Sequence, residues 1–479
     1  MKKTLSILLI LSMILSLCLT ACNNDVATGD GDSTSIMGGE ITTSSTESQG
    51  SVDNEPPVDE DPREPLYEVK LPVAPEELSE GLVFEPDEAN DGYALVGLGT
   101  CTDTIINIPA SYNDKPVTKI AESAFKFNHK VTEIYMPDTV VELENGVFFC
   151  CDALETVLLS SSLKYIPESA FWKSTIKSIV IPDSVTYIIE NAFDYCANLE
   201  SIKLGKGVTQ LGADINYGGN LEFSYVNDFG NCDSLRYIVV DEDHPTFTSI
   251  NGSLYSKDET ILVRYAIGRE DATFTIPSSV TTIGESAFLT ANNLEEMEIP
   301  STVEKMLYGS FRRCAKLRKI TIPASVKEYG LYVLNNCISL EEIVVAGENE
   351  ILKSVDGNLY SKDGKQFLQY ALGLSAEKFV VPDGVEYIGI YSFSEAPNLK
   401  EVVIPEGVIE VTNNAFEKCA ALEIVSLPST IQILEFYSFA DCTALKLIKY
   451  NGTEEMWESI SKKWYWADRA GKYTLEFAE

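Results

Sequence analysis

The stretch IPDSVTYIIENAFDYCANLESIKL, residues 181–204, carries a fixed order of signals: I-P, then V-x-x-I, then A-F, a cysteine, a leucine, and alternation of apolar with polar residues. Phe193, Cys196 and Leu199 stand three apart, and the same spacing returns at Phe229/Cys232/Leu235, Phe311/Cys314/Leu317, Phe416/Cys419/Leu422 and Phe439/Cys442/Leu445. Leu334/Cys337/Leu340 keeps it with leucine for phenylalanine. Pro277, Pro300 and Pro323 lie 23 residues apart, as do Pro382, Pro405 and Pro428. A period of this length defines a stacked array, because one unit is too small to bury its own apolar face and needs its neighbours on both sides. A length of 479 residues therefore does not imply several globular domains.

Within each unit, L-x-x-I-x-I has the period-two alternation of a short strand. Stacked at about 4.8 Å, such strands make a parallel sheet along one side of the coil. Proline suits the end of each strand, since it has no N–H to donate onward. The A-F pair is expected in a short helical turn facing inward. Phe193, Phe311, Phe416, Leu199 and Leu317 are expected inside. Two longer intervals, INGSLYSKDETILVRYAIG (250–268) and VDGNLYSKDGKQFLQYALG (355–373), are offset by 105 residues and each reads as a hairpin about a Lys-Asp turn, with Asp363-Gly364 the better turn pair. Gly205 and Ala346 replace the proline in their units, and residues 211–229 break the register.

The consensus I-P-x-x-V-x-x-I-x-x-x-A-F-x-x-C-x-x-L-x-x-V-x-I-P, the inserted LYSKDGK hairpins and the closing YNGTEEMWESI (450–460) resemble the BspA-like, or treponemal-type, leucine-rich repeat family of bacterial surface proteins over roughly residues 90–479. The resemblance implies a β-rich leucine-rich-repeat solenoid: a curved right-handed superhelix with a parallel sheet on one face and short helical turns. It also implies display at the cell surface and, in some members, binding of host matrix proteins.

The N-terminus is a different material. Lys2 and Lys3 precede an apolar run over 5–19, the pattern of a secretory signal peptide. The run closes in LTAC (19–22), which resembles the lipobox of bacterial lipoproteins and implies lipid attachment at Cys22. Between Asn23 and Asn90 there are 18 acidic residues and two basic ones, Arg63 and Lys70, among Gly, Ser, Thr and Pro. Such a composition does not offset its ordering entropy. Residues 23–80 are expected to be a disordered tether with a reach of about 45 Å. The expected order is then signal peptide 1–22, tether 23–80, an N-terminal β cap over 81–108, the solenoid over 109–450 and a C-terminal cap over 451–479.

With 36 basic against 73 acidic residues the net charge is -37, a field that repels polyphosphates and anionic head groups. Nucleic acid is not an expected partner, and membrane contact is expected through the N-terminal lipid only. The repeated cysteine slot also holds Asn128, Ser174, Ala291 and Ala396, so it is read as a place for a small buried side chain. A metal site would need several deprotonated ligands together. The two histidines, His129 and His244, lie in no catalytic motif, and the acidic loop DEDH (241–244) lacks the ligand spacing of a calcium loop. No catalytic residue, metal site or cofactor is assigned.

What remains is surface. In L-x-x-I-x-I the residues flanking the central apolar one should face solvent. The outward ladder therefore includes Glu133 and Tyr135, Leu158, Val180, Lys203, Tyr237 and Val239, Glu296 and Glu298, Lys319, Glu342 and Glu401. A strip that mixes Tyr, Leu and Val with charge is a candidate recognition surface for an extracellular protein. A second reading places glycan or mucin binding on Trp464 and Trp466 near the C-terminus. The chain is read as a monomeric, secreted, lipid-anchored surface protein that binds another macromolecule, in adhesion or recognition.

Overall fold

A computed structural model describes residues 67–213 and 229–478. The signal peptide, Cys22, most of the tether and residues 214–228 of the register break lie outside the described residues. The repeat becomes a β-solenoid. Its ladder strands begin with β1 (Ile105–Asn107), β2 (Glu133–Tyr135), β3 (Thr156–Leu158), β4 (Ser178–Val180), β5 (Ser201–Lys203) and β6 (Tyr237–Val239). After the first hairpin come β7 (Glu296–Glu298), β8 (Lys319–Ile322) and β9 (Glu342–Val345). After the second come β10 (Lys378–Val380), β11 (Glu401–Val403), β12 (Ile424–Leu427), β13 (Leu447–Tyr450) and β14 (Thr474–Phe477). Neighbours pair parallel and in register as β1-β2-β3, β4-β5-β6, β7-β8-β9 and β10 through β14. Between β3 and β4 the Lys177 N–H still reaches Glu155 O at 3.2 Å.

The I-P-x-x-V corner is a reverse turn in which the proline carbonyl accepts from the valine N–H: Val185 to Pro182 at 3.1 Å, Val303 to Pro300 at 3.0 Å. Proline is not essential to it. Val208 donates to Gly205 at 3.0 Å in the same way, since a carbonyl is all the turn requires. The V-x-x-I segments then form a second set of short parallel strands, such as Tyr165–Ile166, Tyr187–Ile189 and Gln210–Ala213.

Among the described residues the A-F segment is helical only at α1 (Glu122–Phe125); elsewhere it is a hydrogen-bonded turn. The reason lies in the backbone. Residues two before and two after the phenylalanine are left-handed in coil after coil, as at Ser169 (φ 54) and Lys173 (φ 58) around Phe171, or Asn414 (φ 57) and Lys418 (φ 57) around Phe416. The phenylalanine N–H then points along the stack: Phe171 donates to Ala192 O at 2.8 Å and Phe416 to Ser438 O at 2.8 Å. An N–H committed to the next coil is unavailable for a helix.

The expected core is observed. Phe193, Phe311, Phe416, Leu199 and Leu317 are fully buried. The phenylalanines stack along the axis, with centroids 5.1 Å apart for Phe171–Phe193, 4.5 Å for Phe288–Phe311 and 4.8 Å for Phe416–Phe439. Burying one such ring contributes roughly 2–3 kcal/mol. The cysteines in this slot are buried and free, and each thiol donates to the carbonyl of the preceding coil's phenylalanine: Cys196 to Phe171 at 3.0 Å, Cys314 to Phe288 at 3.1 Å, Cys442 to Phe416 at 3.1 Å. Burial pushes the Cys151 thiol up to about 12, so it stays protonated and able to donate.

Both long intervals form the expected hairpins about Lys-Asp, Ser253–Ser256 with Ile261–Arg264 and Asn358–Ser361 with Gln366–Gln369, and each is preceded by a further antiparallel strand that was not expected, Phe247–Ile250 or Leu352–Val355. The last strand of each, Ile261–Arg264 or Gln366–Gln369, joins the V-x-x-I sheet. At the C-terminal end, α2 (Glu454–Ser459) is capped by the Thr453 side chain accepting from Met456 N–H. Its buried Trp457 meets Tyr450 with centroids 5.4 Å apart.

Candidate binding face

The ladder strands hold their outward residues in columns. One column runs Lys319–Glu342 and Lys378–Glu401, and parallel register turns the 23-residue spacing into ion pairs of 2.7 Å and 2.8 Å. The neighbouring rows repeat the device at Arg318–Glu341 (3.0 Å) and Lys446–Glu423 (3.0 Å). Lys203 pairs with Asp241 at 2.8 Å. Exposed pairs of this kind contribute little to stability, at most about 1 kcal/mol each. Their effect is to neutralise the few cations and leave an acidic surplus on the surface.

Among the expected outward residues, Glu296, Glu298 and Glu342 are exposed, and Glu133, Leu158, Val180, Lys203, Tyr237, Lys319 and Glu401 are half-buried. Tyr135 and Val239 are corrections: only 6% and 7% of their surface is accessible. Tyr135 donates its hydroxyl to the Glu133 carboxylate, and burial together with that bond pushes the phenol up to about 12. Both belong to the part of the ladder reached by the segment preceding the cap.

That segment, part of the expected tether, is described from Tyr67 onward. The Tyr67 ring stacks on Tyr237 of β6, with centroids 4.1 Å apart and planes 3° from parallel. Val69 is buried. At the other end, the Asn107 side-chain amide of β1 donates to Pro75 O (2.7 Å) and Glu77 O (3.0 Å). Ser79 N–H donates to Asn107 O (2.9 Å), and Asn107 N–H donates to Ser79 Oγ (3.1 Å). Residues 67–79 thus form a strap from β6 back to β1. The sequence did carry a signal: Leu66-Tyr67 and Val69 interrupt an otherwise polar run.

The acidic loop at 241–244 is part of the scaffold. Asp241 and Asp243 pair with Lys203 and Lys206, each at 2.8 Å, and His244 is buried. The His244 Nδ1 accepts from the N–H groups of Thr246 (3.2 Å) and Phe247 (3.1 Å), and Nε2 donates to Gly205 O at 3.1 Å. His129 is exposed and bonded to Asp152 at 2.7 Å. Trp464 and Trp466 part company: Trp464 is 78% exposed, whereas Trp466 packs edge-on against Phe439 and Trp457 in the C-terminal cap.

Sequence reasoning missed an aromatic ridge on the turn side, where Phe127, Phe149, Trp172 and Tyr195 follow one another with centroids 5.5, 4.5 and 5.1 Å apart. Its members occupy the residues just after the core phenylalanine, a position the consensus leaves open. It also missed a cleft of about 590 Å³ beside the second hairpin, lined by Tyr329, Leu331, Tyr332, Leu352, Leu368 and Tyr387 among others.

The geometry defines the class: a leucine-rich-repeat solenoid with a broad strand face. The BspA type leucine rich repeat region model matches residues 101–222, 270–362 and 369–464, and the chain belongs to that family. Similar solved structures include a leucine-rich repeat protein from Eubacterium ventriosum, 19% identical over 82% of this chain and 94% of that one, TM-score 0.47. A leucine rich cell surface protein from Faecalibacterium prausnitzii is 22% identical, with 82% and 98% covered and TM-score 0.37. A leucine-rich repeat protein from Bacteroides ovatus is 20% identical, with 84% and 99% covered and TM-score 0.39. No curated protein matches the chain. Membership of this surface-protein family suggests a recognition role, and among the described residues no helix is long and apolar enough to cross a membrane.

Proposed function

We propose that this is a cell-surface recognition protein, anchored by lipid at Cys22, whose ladder face binds an extracellular protein without catalysis. The observation that carries the reading is the in-register face itself. Outward side chains of consecutive coils stand in columns, and β10 to β13 present Val380 (54% exposed), Val403, Ile424 and Leu447 between ion-paired charges. An apolar strip edged by polar residues and lacking a deep pocket suits broad, shape-complementary contact.

The test is capture of host matrix proteins, mucins and neighbouring bacterial surfaces by the full chain, compared with Val380→Asp/Val403→Asp and Leu158→Lys/Val180→Lys. Loss of capture in either double variant supports the reading; capture unchanged in both overturns it. Loss only in Trp464→Ala, with glycan as the captured species, would favour the carbohydrate reading instead. Cys22→Ser should release the protein from cells.

A further inference from the structure

The strap occupies the same face that the proposed function needs. It leaves β6 at the Tyr67–Tyr237 stack and reaches β1 at the Pro75 and Glu77 carbonyls held by Asn107. From β6 to β1 is five ladder steps, about 24 Å at roughly 4.8 Å each, and eight extended residues reach about 26 Å at roughly 3.3 Å each. The segment between the anchors is therefore stretched nearly straight across the strands. Coverage follows the same boundary. Along β1 to β6 three outward positions are buried, Tyr135, Ser201 and Val239, whereas no outward position from β7 to β14 is.

The attachment is two-ended and sparse between its ends. Val69 is buried, but Leu71 is 61% and Val73 88% exposed. Running across the strands, this stretch is not part of either sheet, and among the described residues its backbone hydrogen bonds lie at the Pro75–Ser79 end, where the Pro75 and Glu77 carbonyls accept from Asn107 and the Ser79 N–H donates to Asn107 O. The Tyr67 end depends on one ring and one apolar side chain. A second chain with an aromatic residue at the same place could replace it without disturbing the Phe stack, which lies on the opposite side of the strands.

We propose that the β1–β6 face is a binding site for an extended peptide bearing an aromatic side chain against Tyr237, and that residues 67–80 are its resting, displaceable occupant. This rests on the reading of the ladder as a binding face and adds a partner class and a regulated half: β1–β6 is covered until a competing segment displaces the strap, while β7–β14 stays open.

The experiment needs no natural partner, so it fails or succeeds separately from the capture test. A fluorescent peptide of residues 61–80 is titrated into the full chain and into full-length Tyr67→Ala/Val69→Asp, which weakens the intramolecular strap. The double variant should bind the peptide at least tenfold tighter than the wild-type chain, and a peptide carrying Tyr67→Ala should bind at least tenfold more weakly. Adding Tyr237→Ala to the variant should abolish the gain. Hydrogen exchange should quicken over 133–158, 201–213 and 229–239 in the double variant, with 378–450 unchanged, which guards against general unfolding. Equal binding by wild-type and variant chains, or unchanged exchange over 133–158, 201–213 and 229–239, would overturn the proposal. Peptide binding with capture of macromolecules lost elsewhere would uphold the inference while removing the broader reading.

Discussion

The two hairpins are offset by 105 residues and make the same hydrogen bonds with different side chains. In the first, His244 Nδ1 accepts from two N–H groups and Nε2 donates to Gly205 O. In the second, Asn349 Oδ1 accepts from Ile351 (3.0 Å) and Leu352 (2.8 Å) N–H, while Nδ2 donates to Pro323 O (2.9 Å) and Val326 O (3.0 Å). Ser253 Oγ receives Ala266 N–H at 3.2 Å, and Asn358 Oδ1 receives Ala371 N–H at 2.9 Å. The buried Arg264 guanidinium donates to Ser286 O, while its counterpart Gln369 donates to Tyr370 O at 2.9 Å and, one position further along the next coil, to Ser392 O at 3.4 Å. What is repeated is the demand of the backbone for a partner, and any side chain that meets it serves. Residue type then decides how each hairpin answers to pH and strain.

The largest break in this equivalence should come from Asn349→Ala. It strands two buried N–H groups and two carbonyls, and should cost about 2–4 kcal/mol, read as a lower denaturant midpoint and faster exchange over 350–369. The next effect is one of acidity. Burial, the leading cause, lowers the His244 pKa below its ordinary 6.5, while nearby Lys257 lowers it further and the Gly205 bond, Asp241 and Asp183 raise it. The unfolded chain therefore takes up the proton first. The His244 contribution is complete above pH about 6.5 and is lost as pH falls through the unfolded value toward the folded one. Exchange over 245–264 should quicken between pH 7 and 5.5 while that over 350–369 does not. His244→Asn should remove the difference and Asn349→His should transfer it to the second hairpin; a first hairpin indifferent to pH in this window would refute the account.

The period of the sequence made the core legible. Twenty-three residues per coil placed Phe193, Leu199 and Cys196 inside with no structural input, and the alternation in L-x-x-I-x-I located the ladder strands. Three things were not legible, for physical reasons. The A-F turn was expected to be helical because propensity says nothing of an N–H donated to the next coil. Tyr135 and Val239 were expected outside because alternation fixes which way a side chain points and not what lies over it. The strap was hidden in a composition that reads as disorder: two apolar anchors are enough to hold a segment against a preformed face, yet too few to show in an average over sixty residues.

The smallest expected effect is also the cleanest comparison of the pair. The hairpin loops are bonded alike: Ser256 Oγ donates to Asp258 at 2.6 Å and Ser361 Oγ to Asp363 at 2.7 Å, and the third-strand N–H groups of Ile261 and Gln366 return to those hydroxyls at 2.9 and 3.0 Å. The N–H of the next residue closes both turns at 2.9 Å, from Glu259 and from Gly364. What differs is the residue held left-handed, Glu259 at φ 61 against Gly364 at φ 78. A side chain there costs about 1 kcal/mol in the folded state, and glycine gives back part of that through a freer unfolded chain. Glu259→Gly should therefore stabilise the first hairpin by roughly 0.5 kcal/mol. Gly364→Glu should weaken the second by a similar amount or more, since a Cβ there meets the Lys353 ammonium and must push that flexible chain aside. A further difference between the loops is the Thr260 hydroxyl, which donates to Asp258 at 2.9 Å where Lys365 offers none, and neither substitution touches it; opposite shifts in exchange over 253–264 and 358–369 would therefore assign the effect of the substitutions to backbone conformation. Shifts of the same sign would show that interactions of the Glu259 side chain, and not its φ, set the strength of the turn.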